Sequence, residues 1–160
     1  MKGFYIVDLE TGERIPNQIT VKGEETFLKM ITRADVVDVA SGGNFYLGLT
    51  GLSVSNTDTL VQVAVNEPTL TNNYARKPIT RDAGGFTDIS QVNGIFRAQS
   101  AVVNFTATPG DYSTSIYRLF LCNVVSGTAG KLFSVSAPLL TPRLITPTTP
   151  YSVAFELWMR

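Results

Sequence analysis

Carboxylates are the side chains in this sequence best supplied for acid–base work. Glycoside hydrolysis needs only a pair, one to protonate the leaving oxygen and one to act as base or nucleophile. Three pairings come into question: Asp35 with Asp38, Glu67 with Asp82, and Asp88 with Asp111. Each member sits beside turn residues or in a polar stretch, where an Asp is ordinarily solvated, and no spacing sets two of them across a cleft. Asp35 and Asp38 could also belong to a calcium loop, yet they fall short of the roughly six to eight oxygens calcium takes. The sequence has no histidine, which removes the commonest general base, the commonest metal ligand and every Ser-His or Cys-His nucleophile pair. The single cysteine, Cys122, lies in an apolar alternating run, where a thiol behaves as a small buried hydrophobe. Gly42-Gly43 and Gly84-Gly85 lack the strand–helix context of a phosphate cradle. No catalytic residue, cofactor or metal is expected.

Contact chemistry is better supplied. The stretch Asn66–Asp82 combines a polar turn (Glu67-Pro68, Asn72-Asn73) with a short strand bearing Arg76, Lys77 and Arg81. Pro78 has no backbone donor, so that strand pairs fully on one side only. The basic group reads as a solvated face or as a partner for an acidic patch on another subunit. Tyr74, Phe86 and Tyr112 lie in or next to loops, the better places for an aromatic to meet a ligand or partner. Pro138, Pro142, Pro147 and Pro150 favour extended chain over residues 137–150. That segment reads as a connector between the last two strands, or as an arm docking on another subunit through Leu139, Leu140, Leu144 and Ile145. The expected partner contacts are Tyr74, Arg76, Lys77, Arg81, Tyr112, Leu139, Leu140, Leu144 and Ile145.

The elements that must position these residues are mostly strands. Apolar positions alternate in Ala101–Ala107, Tyr117–Cys122, Lys131–Ala137 and Ser152–Met159, and period two is the strand signature. Phe45–Thr50 and Leu60–Val65 are strand-like too. Turn signals at Gly42-Gly43, Gly84-Gly85, Pro109-Gly110-Asp111 and Ser126–Gly130 separate the runs. This predicts a mainly β chain folded as an antiparallel sandwich or barrel, of which a single antiparallel β-sandwich is the expectation. One short helix is predicted over Gly23–Arg33, where Phe27, Leu28 and Ile31 recur at helical spacing, acidic Glu24 and Glu25 come first, and Lys29 and Arg33 come late. Residues 1–16 read as an N-terminal hairpin or arm, Phe4–Leu9 against Arg14-Ile15, and 17–160 as the sandwich domain.

At 160 residues the chain can bury roughly 70% of its unfolded surface as one domain. Charged residues make up 16%, below the ~25% usual in soluble proteins, a deficit that suits a surface ending against neighbours. Thirteen basic residues balance thirteen acidic ones, so no basic field points to nucleic acid. No apolar run approaches the ~20 residues of a spanning helix. Asp8 follows the start too closely for a signal peptide, which leads to an expectation of synthesis and assembly in the cytoplasm.

Six segments carry a resemblance: Asn44–Thr50, Glu67–Thr69, Asn72–Asp82, Val102–Tyr112, Tyr117–Asn123 and Ser126–Ala137. In this order, within residues 17–158, they resemble small β-sandwich structural proteins of tailed bacteriophage virions, the tail-fibre-like or particle-surface proteins. The resemblance implies a jelly-roll-like sandwich and a non-enzymatic role on the virion exterior, at the collar, the tail or fibre base, or as capsid decoration. It implies homo-oligomers and other virion proteins as partners. A second function class is a carbohydrate-binding module recognising a host glycan through its loop aromatics.

Overall fold

Alternation becomes sheet in ten strands of the computed structural model, which describes residues 3–32, 43–51 and 57–159, without the side chains of 27–32 and 159. Asp35, Asp38, Arg33 and Gly42, and the Phe27, Leu28, Lys29 and Ile31 side chains, therefore lie outside the described residues. The strands are β1 (Gly3–Asp8), β2 (Arg14–Ile19), β3 (Phe45–Thr50), β4 (Lys77–Ile79), β5 (Phe86–Val92), β6 (Ile95–Ser100), β7 (Val103–Phe105), β8 (Arg118–Cys122), β9 (Leu132–Ser136) and β10 (Tyr151–Met159). They form one sheet in the order β4-β3-β8-β9-β2-β1-β10-β6-β5, with β7 also on β10. All pairings are antiparallel. The mainly β, antiparallel class predicted from the alternation is the one observed, in the form of one sheet curled nearly into a barrel.

Two features produce the curl. The β1–β2 hairpin takes an inner position, with β10 on one side and β9 on the other. The chain from Ile95 to Phe105 then follows β10 twice, first as β6 on Glu156–Met159 and then as β7 on Tyr151–Val153. At the break the Phe155 N–H donates to Ser100 Oγ at 2.9 Å, so the ladder continues through a side chain. β7 comes to lie beside β4, and the seam is stitched by Thr108 N–H to Asn72 O at 2.9 Å. The β5–β6 hairpin is left flaring off β10 outside the curl.

Inside the curl Phe4, Ile6, Leu47, Leu49, Val103, Phe105, Leu119, Leu121, Val153 and Phe155 form the main core. Phe4 stacks on Phe155 at 5.5 Å and Phe45 meets Phe133 edge-on at 5.4 Å. A smaller core lies on the outside of β3–β8–β9, where Phe120, Cys122, Leu132 and Val135 are covered by Leu60 and Val63. Those two residues belong to α2 (Leu60–Ala64), which corrects the strand expected over Leu60–Val65. The apolar spacing there serves either conformation. The helix wins because Leu60 and Val63, three apart, bury together while Val61 and Val65 stay exposed. The Gln62 side chain also accepts the Thr59 N–H at 2.7 Å, at the helix start.

The predicted N-terminal helix is α1 (Val21–Thr32). The Gly23 N–H donates to Thr20 Oγ1 at 3.0 Å, an N-cap. A Cβ on Gly23 would sit 2.1 Å from the Phe133 carbonyl oxygen, so glycine lets α1 lie directly on β9. Residues 137–150 run back along the barrel from β9 to β10, fastened by Leu139 N–H to Tyr117 O, Arg143 N–H to Ile116 O and Tyr112 N–H to Ile145 O.

Candidate functional site

The most informative part of the sequence, Asn66–Asp82, forms one side of a surface groove of roughly 370 Å³. One wall is the end of α2 and the loop through Val65, Pro68, Thr69 and Leu70, and the other is the β8–β9 loop, Val125–Thr128. The floor holds Glu67, Tyr74 and Arg76. Two consecutive asparagines in the left-handed region, Asn72 (φ 56°) and Asn73 (φ 67°), turn the chain so that Tyr74 points inward; Asn is the non-glycine residue that tolerates this best.

Arg76 is only 3% exposed, and its guanidinium uses every donor it has. Nε and Nη2 reach the two Glu67 oxygens at 2.9 and 2.6 Å. Nη2 also donates to Gly127 O at 2.9 Å, and Nη1 to Val124 O at 3.2 Å and Cys122 Sγ at 3.7 Å. The group lies over the Phe120 ring, 5.3 Å from its centroid. Phe120 can spread there because β3 carries glycine at position 48, where a Cβ would sit 2.3 Å from the ring. One arginine thus ties both walls of the groove to the sheet beneath.

Tyr74 completes the node. Its hydroxyl accepts the Leu49 N–H at 3.0 Å and donates to Glu67 Oε1 at 2.6 Å. Burial, and then the Glu67 carboxylate, hold its pKa well above the ordinary phenol range. Burial alone would lower the Arg76 guanidinium, but the hydrogen-bonded Glu67, together with Cys122 and Tyr74, raises it on balance. Burial likewise pushes the Cys122 thiol up, against the pull of Arg76. Near neutral pH the node is a charged pair, a neutral phenol and a neutral thiol, with phenol and guanidinium donors already engaged. Chemically it is a crosslink.

The structure divides the residues singled out in the sequence. Tyr74 and Tyr112 are buried and meet edge-on at 5.4 Å. Arg76 is interior, and so are Leu139 and Ile145. Lys77 is half-buried, Arg81 is exposed with its guanidinium 5.9 Å from the Phe45 ring, and Leu140 and Leu144 are exposed. Of the carboxylate pairs, Glu67 is bound to Arg76 rather than Asp82. Asp82 accepts the Gly84 and Gly85 N–H groups and the Thr80 hydroxyl, and the Thr80 bond leads in lowering its pKa. Asp88 pairs with Arg97 rather than Asp111.

Two further nodes were not singled out in the sequence. Glu156 is 0% exposed and receives Arg14 Nε at 2.9 Å, Trp158 Nε1 at 2.9 Å and Arg97 Nη1 at 3.5 Å. Arg143 joins Asp8 at 2.6 Å and Glu10 at 2.5 Å and lies over Tyr151 at 4.7 Å. Only Glu156, the single charged residue of β10, gave a sequence signal for the first.

Against this polar interior, the groove rim is apolar: Leu70 is 77% exposed, and Val65 and Val125 flank it. The fold and the groove define a nearly closed antiparallel β-barrel with an apolar-rimmed surface depression. No protein-family model matches the chain, and no curated protein matches it.

Proposed function

We propose that the chain is a non-enzymatic assembly protein that works by burying surface against neighbouring proteins. The observation that supports it is the contrast within the groove. Its ionisable floor is consumed in internal bonds, while its rim presents Leu70, Val65 and Val125 to solvent. A groove built for acid–base chemistry keeps a proton donor or acceptor free to meet substrate; this one offers shape and apolar area, the currency of protein contacts. The sequence resemblance supplies the setting: the exterior of a tailed phage particle, at the collar, tail or fibre base, or capsid, with other virion proteins as partners. The jelly-roll-like sandwich belongs to the same proposal. The glycan-binding alternative is weakened, because Tyr74 and Tyr112 are buried and pack edge-on against each other inside the chain.

Incorporation of Leu70→Asp tests the reading. Wild-type chain should co-sediment with purified particles, and Leu70→Asp should lose most of that association while melting at the wild-type temperature. Equal incorporation of both chains would remove the groove from the assembly surface. Retention of wild-type chain on a host-glycan column would favour the carbohydrate module instead.

A further inference from the structure

The β5–β6 hairpin closes through Asn93 (φ 52°) and Gly94 (φ 78°), the two-residue type I′ turn whose twist suits antiparallel strands. Such a turn makes Val92–Ile95 a hydrogen-bonded pair. The alternation of antiparallel ladders then makes Ser90–Arg97 bonded, and Gln91–Phe96 and Ile89–Ala98 non-bonded. Ile89 and Gln91 therefore turn their N–H and C=O groups away from β6, toward an edge with no strand on it among the described residues. On one face of the same edge Ile89 is 72% exposed and Phe96 60% exposed.

The two edges of the sheet differ. β4 is three residues long, carries Lys77 and Pro78, and lies beside β7; lysine, proline and shortness all discourage edge pairing. β5 has seven residues with neither lysine nor proline. Its one interruption is the register shift between Phe86 and Asp88, which confines the regular edge to residues 88–92. Ser90 is the centre of that segment.

We propose that β5 is the seam of a symmetric dimer, two copies pairing their β5 edges antiparallel about a two-fold axis through Ser90. In this register Ile89 of each copy faces Gln91 of the other, and all four outward backbone groups on each side find partners. Asp88 comes opposite Val92, so no like charges meet, and Asp88 is already neutralised by Arg97. On the apolar face Ile89 and Phe96 of the two copies run on as one stripe. A second copy fits better than an unrelated strand because the edge matches itself in hydrogen bonding and charge, as an isologous contact requires. The proposal deepens the assembly reading by naming one partner. The β5 edge shares no residue with the groove, so either can fail alone.

Sedimentation velocity from low micromolar to near-millimolar chain decides it, with Gln91→Pro and Ile89→Lys beside the wild type. Proline at 91 deletes an outward donor without touching the bonds to β6, and lysine at 89 is an edge-blocking charge on an exposed position. The wild-type mass should rise with concentration from 17.4 kDa toward twice that, and each variant should weaken the dimer about tenfold or more. Should Gln91→Pro melt early, Ile89→Lys decides. A wild-type mass that stays at one chain throughout, or a dimer that Ile89→Lys leaves intact, overturns the proposal, as would pairing seen only with a different protein.

Discussion

Replacing Arg76 with methionine is the most informative perturbation of the fold. Methionine keeps the length and the contact with Phe120 but removes all five donors. Glu67, whose side chain is 12% exposed, would keep only the Tyr74 hydroxyl, Gly127 O would lose its Arg76 donor, and Val124 O would keep only the Cys122 thiol. Removing one member of a buried ion pair costs about 3–5 kcal/mol. The residual exposure of Glu67 puts this case near the lower end, about 3 kcal/mol, a large share of the about 5–15 kcal/mol of a typical domain. Adding Glu67→Gln removes the stranded charge, so the double variant should be about 1–2 kcal/mol more stable than Arg76→Met alone. Urea titrations followed by the fluorescence of Trp158, the single tryptophan, give each value from the midpoint at unchanged slope. A cost below about 1 kcal/mol for Arg76→Met, or a double variant that costs the sum of the singles, would refute the crosslink.

Three further outcomes follow from named contacts. Tyr74 and Tyr151 both have raised pKa values through burial, so above about pH 10 the unfolded chain loses phenolic protons that the folded chain keeps. Stability is full below that pH and should fall by about 1.4 kcal/mol per pH unit for each tyrosine until its folded pKa is passed; Tyr74→Phe should make the alkaline slope shallower in pH-dependent urea titrations. Gly48→Ala drives a methyl into the Phe120 ring beneath Arg76 and α2, an overpacking cost of about 1–3 kcal/mol read as a lower urea midpoint. At Gly94 a Cβ meets nothing within 4 Å, so Gly94→Ala should cost only the left-handed conformation, about 1–2 kcal/mol, with amide exchange accelerated in β5 and β6 more than in β8 and β9.

How far the sequence could be read depended on the distance between the partners. Alternation in Val103–Ala107 and Val153–Leu157 correctly put those apolar faces toward the core, because a strand's two faces are decided within a few residues. Leu60–Val65 was ambiguous because six residues cannot separate a period of two from one of 3.6. Arg76 looked like a solvated charge beside Lys77 and Arg81. Its burial depends on Glu67 nine positions upstream and on carbonyls 48 and 51 positions downstream, and no local pattern encodes those. The curl of the sheet rests in part on a two-residue break, Ala101-Val102, between β6 and β7, which no local pattern marks. The hairpin turn at Asn93-Gly94 was not among the turns singled out, although the dipeptide itself carries that signal. Leu139 and Leu140 part company because an extended segment points neighbours to opposite sides, one into the core and one to solvent.

The central claim is that this chain acts by occupying fixed places in an assembly. Its copy number in washed, purified particles, by quantitative mass spectrometry against the major capsid protein, tests that most directly. The account predicts a constant ratio from one preparation to the next, ring-sized at a collar, tail or fibre base, or rivalling the capsid protein for a decoration. A trace amount that varies between preparations and washes away would contradict it.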